Sequence, residues 1–164
     1  MSEFFEVVSP AEAISKITSH NDFPSLKTET LDTISCHNRI TSENVTSNSD
    51  LPHFNRSSMD GYAIKSNDSS GVSSSSPNYI KVIEEIKMGY TPNEKLKNGE
   101  CSRIFTGGMI PEGADSVIME EDTEILNDDF IEIKKSLSVG ENIIFKGEET
   151  KKNNLILSKG HKIR

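Results

Sequence analysis

Tryptophan is absent from the 164 residues, and three tyrosines and seven phenylalanines hold the aromatic share to 6%. So few rings, in a chain of net charge −8, argue against an oligonucleotide-binding platform, which needs stacking aromatics along a basic groove. Apolar residues are scarce as well: they make up 33% of the chain, and roughly 39% with the ten glycines added, against about 45–50% in an average globular sequence. Two thin, surface-rich lobes fit that shortage better than one deep core. No run of about 18 apolar residues is present to span a membrane. Met1-Ser2-Glu3-Phe4-Phe5 lacks the basic start and apolar stretch of a secretory leader, so a cytoplasmic location is expected. Cys36 and Cys101 stand far apart, without the paired spacing of a zinc or redox motif, and read as two reduced, packed thiols. A P-loop, a G-x-G-x-x-G run and a Ser/His/Asp arrangement are all missing.

Charge is unevenly placed. Between Met109 and Ile133 there are nine acids and no Lys or Arg, whereas Lys134 to Arg164 carries eight basic residues against three acids. An acidic lobe repels phosphates and nucleic acid, so an anionic ligand approaching it requires a metal ion or basic groups from elsewhere.

Along the chain, Ser9-Pro10-Ala11-Glu12 reads as an N-cap, a first-turn proline and an acid, opening an amphipathic helix through Ala13, Ile14 and Ile17 that ends near His20-Asn21 and is broken at Phe23-Pro24. Thr28 to Ile34 alternates polar and β-prone residues. The serine tract from Ser69 to Ser76 is too polar to bury and is expected to be a mobile loop or hairpin tip. Beyond it, Tyr79–Ile86, Ser102–Phe105, Ser116–Met119, Phe130–Ile133, Asn142–Phe145 and Leu155–Leu157 are short strand candidates. Turn signals separate them at Gly89–Pro92, Asn98-Gly99, Pro111–Gly113, Asn127–Asp129 and Asn153-Asn154. That spacing predicts a small β-barrel or sandwich.

One stretch stands apart. In Leu51-Pro52-His53-Phe54-Asn55-Arg56-Ser57-Ser58-Met59-Asp60-Gly61-Tyr62-Ala63-Ile64, the proline enforces an extended approach, turn-prone residues follow, and an acid precedes a glycine that opens a strand. The arrangement places a carboxylate on a turn. Phe54 to Ala63 resembles F-D-N-S-A-M-D-G-Y-A, the signature of the molybdopterin molybdenumtransferases, the MoeA and gephyrin E-domain family. Arg103 to Met119 resembles that family's R-I-x-T-G-A-x-x-P-x-G-A-D-x-V-V-M, and Gly140 to Glu149 is similar to its G-x-N-x-R-x-x-G-E-D. The three motifs keep the family's order, and the resemblance extends from about Arg39 to Ile163.

The resemblance implies a mixed α+β, β-rich fold: an elongated discontinuous base domain, residues 1–50 and 137–164, with a small β-barrel or sandwich domain, residues 51–136, inserted into it. The charge change near Lys134 falls at that inferred boundary. It implies a role in molybdenum cofactor biosynthesis, inserting molybdate into adenylylated molybdopterin, with Mg2+ present and AMP released by hydrolysis. It carries catalytic roles to Asp60, Thr106 and Glu149 and cofactor contacts to Ser57, Ser58, Gly107 and Gly108, with no protein metal-ligand set assigned. The implied assembly is a homodimer through the base domain, with an α/β domain, in the same or another chain, completing the site. The chain by itself is therefore expected to be inactive. Asn55, Arg56 and Glu149 depart from the signature, the last by one methylene relative to aspartate. The alternative reading is a non-catalytic dimerisation or scaffold module of the same ancestry.

Overall fold

The structure, a computed structural model, describes residues 7–19 and 27–164. Among the described residues it is mostly β with one α-helix, and its contacts divide it into two compact units, residues 1–42 with 160–164 and residues 43–159.

In the first unit the helix α1 (Pro10–Ser19) begins where the sequence signals it. The Ser9 hydroxyl accepts from the Glu12 N–H at 3.3 Å, while the Glu12 carboxylate accepts from the Ser9 N–H at 2.8 Å and its hydroxyl at 2.9 Å, a reciprocal capping box. The expected stop at His20 to Pro24 lies outside the described residues. No strand forms over Thr28 to Ile34; Thr33–Ser35 makes a 3-10 turn instead. The alternation there is matched by no partner strand, and an unpaired strand has nowhere to place its backbone hydrogen bonds. Asn38 takes φ 64°, which asparagine tolerates, and its N–H donates to Ile163 O at 2.9 Å.

The second unit is organised around strands. They are β1 (Val45–Thr46), β2 (Arg56–Ser57), β3 (Gly61–Ile64), β4 (Asn78–Ile86), β5 (Glu100–Ile104), β6 (Ser116–Met119), β7 (Thr123–Ile125), β8 (Phe130–Ile133), β9 (Ile143–Ile144) and β10 (Leu155–Leu157). The outgoing chain pairs antiparallel with the returning chain: β1 with β10, Leu51 with Thr150, and β2 with β9. Between them lies a six-stranded sheet of order β6-β3-β5-β4-β8-β7. The edge strands β6 and β7 are joined only by the 3-10 turn Glu120–Asp122. So short a link draws the two edges together, and the sheet curls. The free side of β6 is covered by the returning chain, with Val117 N–H donating to Glu141 O at 3.0 Å and Asn142 Nδ2 to Val117 O at 2.8 Å.

Both faces of the sheet are buried. Tyr62, Ile64, Ile80, Cys101, Ile118, Ile131, Ile133 and Leu137 fill one face; Ala63, Ile86, Ile104 and Val117 fill the other. Ile80 and Ile86 are an even number of residues apart and would share a face in a regular strand. A register shift between Val82 and Glu84 inserts an extra residue, so β4 supplies an isoleucine to each core.

The serine tract is tethered at its start. Ser69 is fully buried, its hydroxyl donating to Ser66 O at 2.7 Å and accepting from the Leu137 N–H at 2.9 Å, and Val72 packs on the first core. Ser73 and Ser76 close a tight hairpin by mutual backbone bonds. Hydroxyls that bond to local backbone can be buried at little cost, which composition alone does not reveal.

Candidate functional site

Strands β6, β3 and β5 finish side by side, because Gly61 lies opposite both Met119 and Ile104. The residues just beyond their ends, Asp60, Glu120 and Thr106, therefore meet at one rim. Gly61 is required there: a Cβ built on it would lie 1.9 Å from Ile118 O. The close approach of β3 to β6 depends on its absence.

Asp60 Oδ1 accepts from the Thr106 N–H at 2.6 Å and from the Thr106 hydroxyl at 2.7 Å, and Asp60 O accepts from the Glu120 N–H at 3.2 Å. These two donors from Thr106, aided by the Arg103 charge, hold the exposed Asp60 carboxyl below the usual aspartate range. Arg103 spans the rim. Its guanidinium lies 3.4 Å from Glu120 Oε1 and 3.9 Å from Glu85 Oε2, and 5.4 Å over the Phe105 ring.

The three motifs of the sequence are laced together by main-chain bonds. Gly107 N–H donates to Ser57 O at 2.8 Å, Ser57 N–H to Gly108 O at 2.9 Å, Ile110 N–H to Asn55 O at 2.9 Å, and Ser58 N–H to Asn142 O at 3.0 Å. Gly147 and Glu149 N–H groups donate to Pro52 O and Leu51 O, each at 3.0 Å. Asn55, whose side chain differs from the signature's aspartate, accepts the Lys146 N–H on Oδ1 at 2.8 Å.

Asp60 and Thr106 are thus brought together as a bonded pair. The resemblance implies a catalytic role for Thr106 and cofactor contacts for Gly107 and Gly108. Here the donors of Thr106 go to Asp60, and the Gly107 and Gly108 amides go to Ser57 O and Phe105 O, so the turn is not an open anion nest. Gly107, with φ 84°, lets the chain fold back. Ser57 is buried, and its hydroxyl lies 2.5 Å from Met59 O, inside the turn. Ser58 is half-buried beside it. Glu149 lies on the returning segment, where its Oε1 accepts from Arg56 Nη2 at 2.9 Å.

Sequence reasoning missed Arg103 and Arg56 as members of this cluster. For Arg103 the available signal was its place at the head of the Thr-Gly motif. Arg56 gave only its mismatch with the signature. No group of three or more His, Cys, Asp or Glu side chains gathers to hold a metal among the described residues. The donor set here does not fit Mg2+ by itself.

Comparison with known proteins bears on the family and the fold. Residues 8–164 match the family model described as the MoeA N-terminal region, domains I and II. The molybdopterin molybdenumtransferase of Staphylococcus aureus is 43% identical over 126 residues, covering 77% of this chain and 30% of the relative. That of Staphylococcus epidermidis is 39% identical over 124 residues, covering 76% and 29%. Two crystal structures of the molybdopterin biosynthesis MoeA protein from Pyrococcus horikoshii superpose with TM-scores of 0.82 and 0.79, at 34% and 33% identity. They cover 96% and 83% of this chain, and 40% and 36% of theirs. The chain thus spans less than half the length of the relatives it matches. Three signature motifs bonded to one another, a matching family model and superposable structures lead to one assignment: the chain belongs to the MoeA N-terminal family.

Proposed function

We propose that this chain is the amino-terminal module of a molybdopterin molybdenumtransferase of molybdenum cofactor biosynthesis, the enzyme that inserts molybdate into adenylylated molybdopterin. The observation that carries the reading is Asp60, held ionised at the strand rim by both donors of Thr106. A carboxyl more acidic than usual is a poor proton shuttle near neutrality but a good fixed acceptor. Asp60 orients the water that attacks the adenylyl phosphorus, releasing AMP, and Thr106 fixes Asp60. Ser57, Gly107 and Gly108 shape the turn, Ser58 offers a hydroxyl to the cofactor, and Glu149 supplies a second carboxylate. Mg2+, where the reaction uses it, is ligated chiefly by substrate phosphates and by residues outside this module.

In this reading residues 1–50 and 137–164 belong to a base domain and 51–136 to an inserted barrel-like domain. The protein acts in the cytoplasm, and an α/β domain brings the cofactor. No helix among the described residues is long and apolar enough to cross a membrane. In the complete enzyme Asp60→Ala abolishes molybdate-dependent cofactor maturation while leaving the fold intact. Wild-type activity in that variant would sink the assignment.

A second reading, a non-catalytic dimerisation module, is favoured by α1, which buries no residue and leaves Ile14 and Ile17 63% and 60% exposed. The two readings share a homodimer. They part on activity once the α/β domain is supplied, which the scaffold reading does not predict.

A further inference from the structure

Arg56 and Glu149, two of the positions that depart from the signature, touch each other across 93 residues of sequence, with Nη2 donating to Oε1 at 2.9 Å. Both backbones are fixed independently of that contact. Arg56 pairs with Ile144 across β2–β9 and is bridged to Met109, while Glu149 is tied through its N–H to Leu51 O. The side chains are 36% and 58% exposed, and a pair so wet contributes little to stability. Yet the Arg56 Nε is buried with no hydrogen-bond partner, which is unfavourable. Weak stabilisation and a buried orphan donor do not account for the pair as a fold element.

We infer that Arg56 is a positioning residue, whose guanidinium sets the Glu149 carboxylate for the molybdate-insertion reaction; this rests on the function proposed above. With Nε enclosed, the guanidinium has little freedom to turn, and its Nη edge faces Glu149. The extra methylene of glutamate over aspartate gives the carboxylate reach, and the charged hydrogen bond removes the freedom that reach would bring. The pair also cancels one negative charge on the segment bonded to the Asp60 loop, so an anionic substrate meets less repulsion there.

The test uses four variants of the complete enzyme beside an Asp60→Ala reference, with melting curves of the 164-residue chain alongside. Arg56→Met and Glu149→Ala each lower turnover at least tenfold with KM little changed, and Arg56→Lys keeps more activity than Arg56→Met. Each single change alters the folding equilibrium constant of the chain only about two- to fivefold. The charge exchange Arg56→Glu with Glu149→Arg restores the stability coupling but not the turnover, because the carboxylate then stands on the wrong strand. Recovery of turnover in the exchange, or wild-type turnover in either Arg56→Met or Glu149→Ala, would overturn the inference. Asp60→Ala is the reference. If it is inactive while Arg56→Met is fully active, only this inference falls; if Asp60→Ala is fully active, the proposed function falls and takes the inference with it.

Discussion

Thr106 directs two donors to one oxygen of Asp60, so a conservative change has a readable effect. Thr106→Val removes the hydroxyl and keeps the amide. The Asp60 pKa then rises toward the ordinary aspartate value, and the acidic limb of the pH–activity profile moves to higher pH. An unmoved limb would show that the hydroxyl does not tune this carboxylate. The sign for stability follows from the same shift. A carboxyl more acidic folded than unfolded stabilises fully above its unfolded pKa, and that contribution fades as pH falls through the lower folded value. Cys101 is fully buried, and burial pushes its thiol up to about 12, whereas Cys36 is half-buried and free. At pH 8 a thiol reagent therefore labels Cys36 in the native protein and both cysteines in denaturant; rapid native labelling of Cys101 would contradict the packing.

At the scale of elements, β3 anchors the rim that carries Asp60, since it lies between β5 and the edge strand β6 and is buried along its whole length. Gly61→Ala forces a Cβ into the Ile118 carbonyl, and β3 or β6 must shift. The expected loss is about 2–3 kcal/mol in urea unfolding, and a loss under about 0.5 kcal/mol would mean the strands separate freely. Ile64→Ala, in the first core, costs about 2–5 kcal/mol by the same measurement. Strands of apolar and β-branched residues were legible in order: β4, β6, β8 and β10 fall where composition puts them, within a residue. Three were not. β1 and β2 are two residues each, and β7 is a Thr-Glu-Ile run among acids, so each depends on the strand beside it rather than on its own pattern. The alternation of polar and β-prone residues over Thr28 to Ile34 forms no strand for the converse reason, a pattern without a partner.

For the whole molecule, the acidic and basic stretches read as separate lobes, but the structure stitches their junction. Lys134 pairs with Glu124 and Glu132, and Lys135 pairs with Asp122 and Glu141. If the proposed homodimer forms through the exposed apolar side of α1, Ile14→Glu with Ile17→Glu shifts the sedimentation coefficient toward monomer without changing the fold. An unchanged coefficient would place the interface elsewhere. The start of α1, the order of the main strands, the turn that carries Asp60 and the family were legible in the chain's local patterns, because these depend on neighbours a few residues apart. Only the folded chain brings Thr106 to Asp60, the Gly107 amide to Ser57 O, and Arg56 to Glu149. Those contacts join residues from 46 to 93 positions apart, and hydrogen bonds over such separations depend on register and strand order, which local composition does not encode.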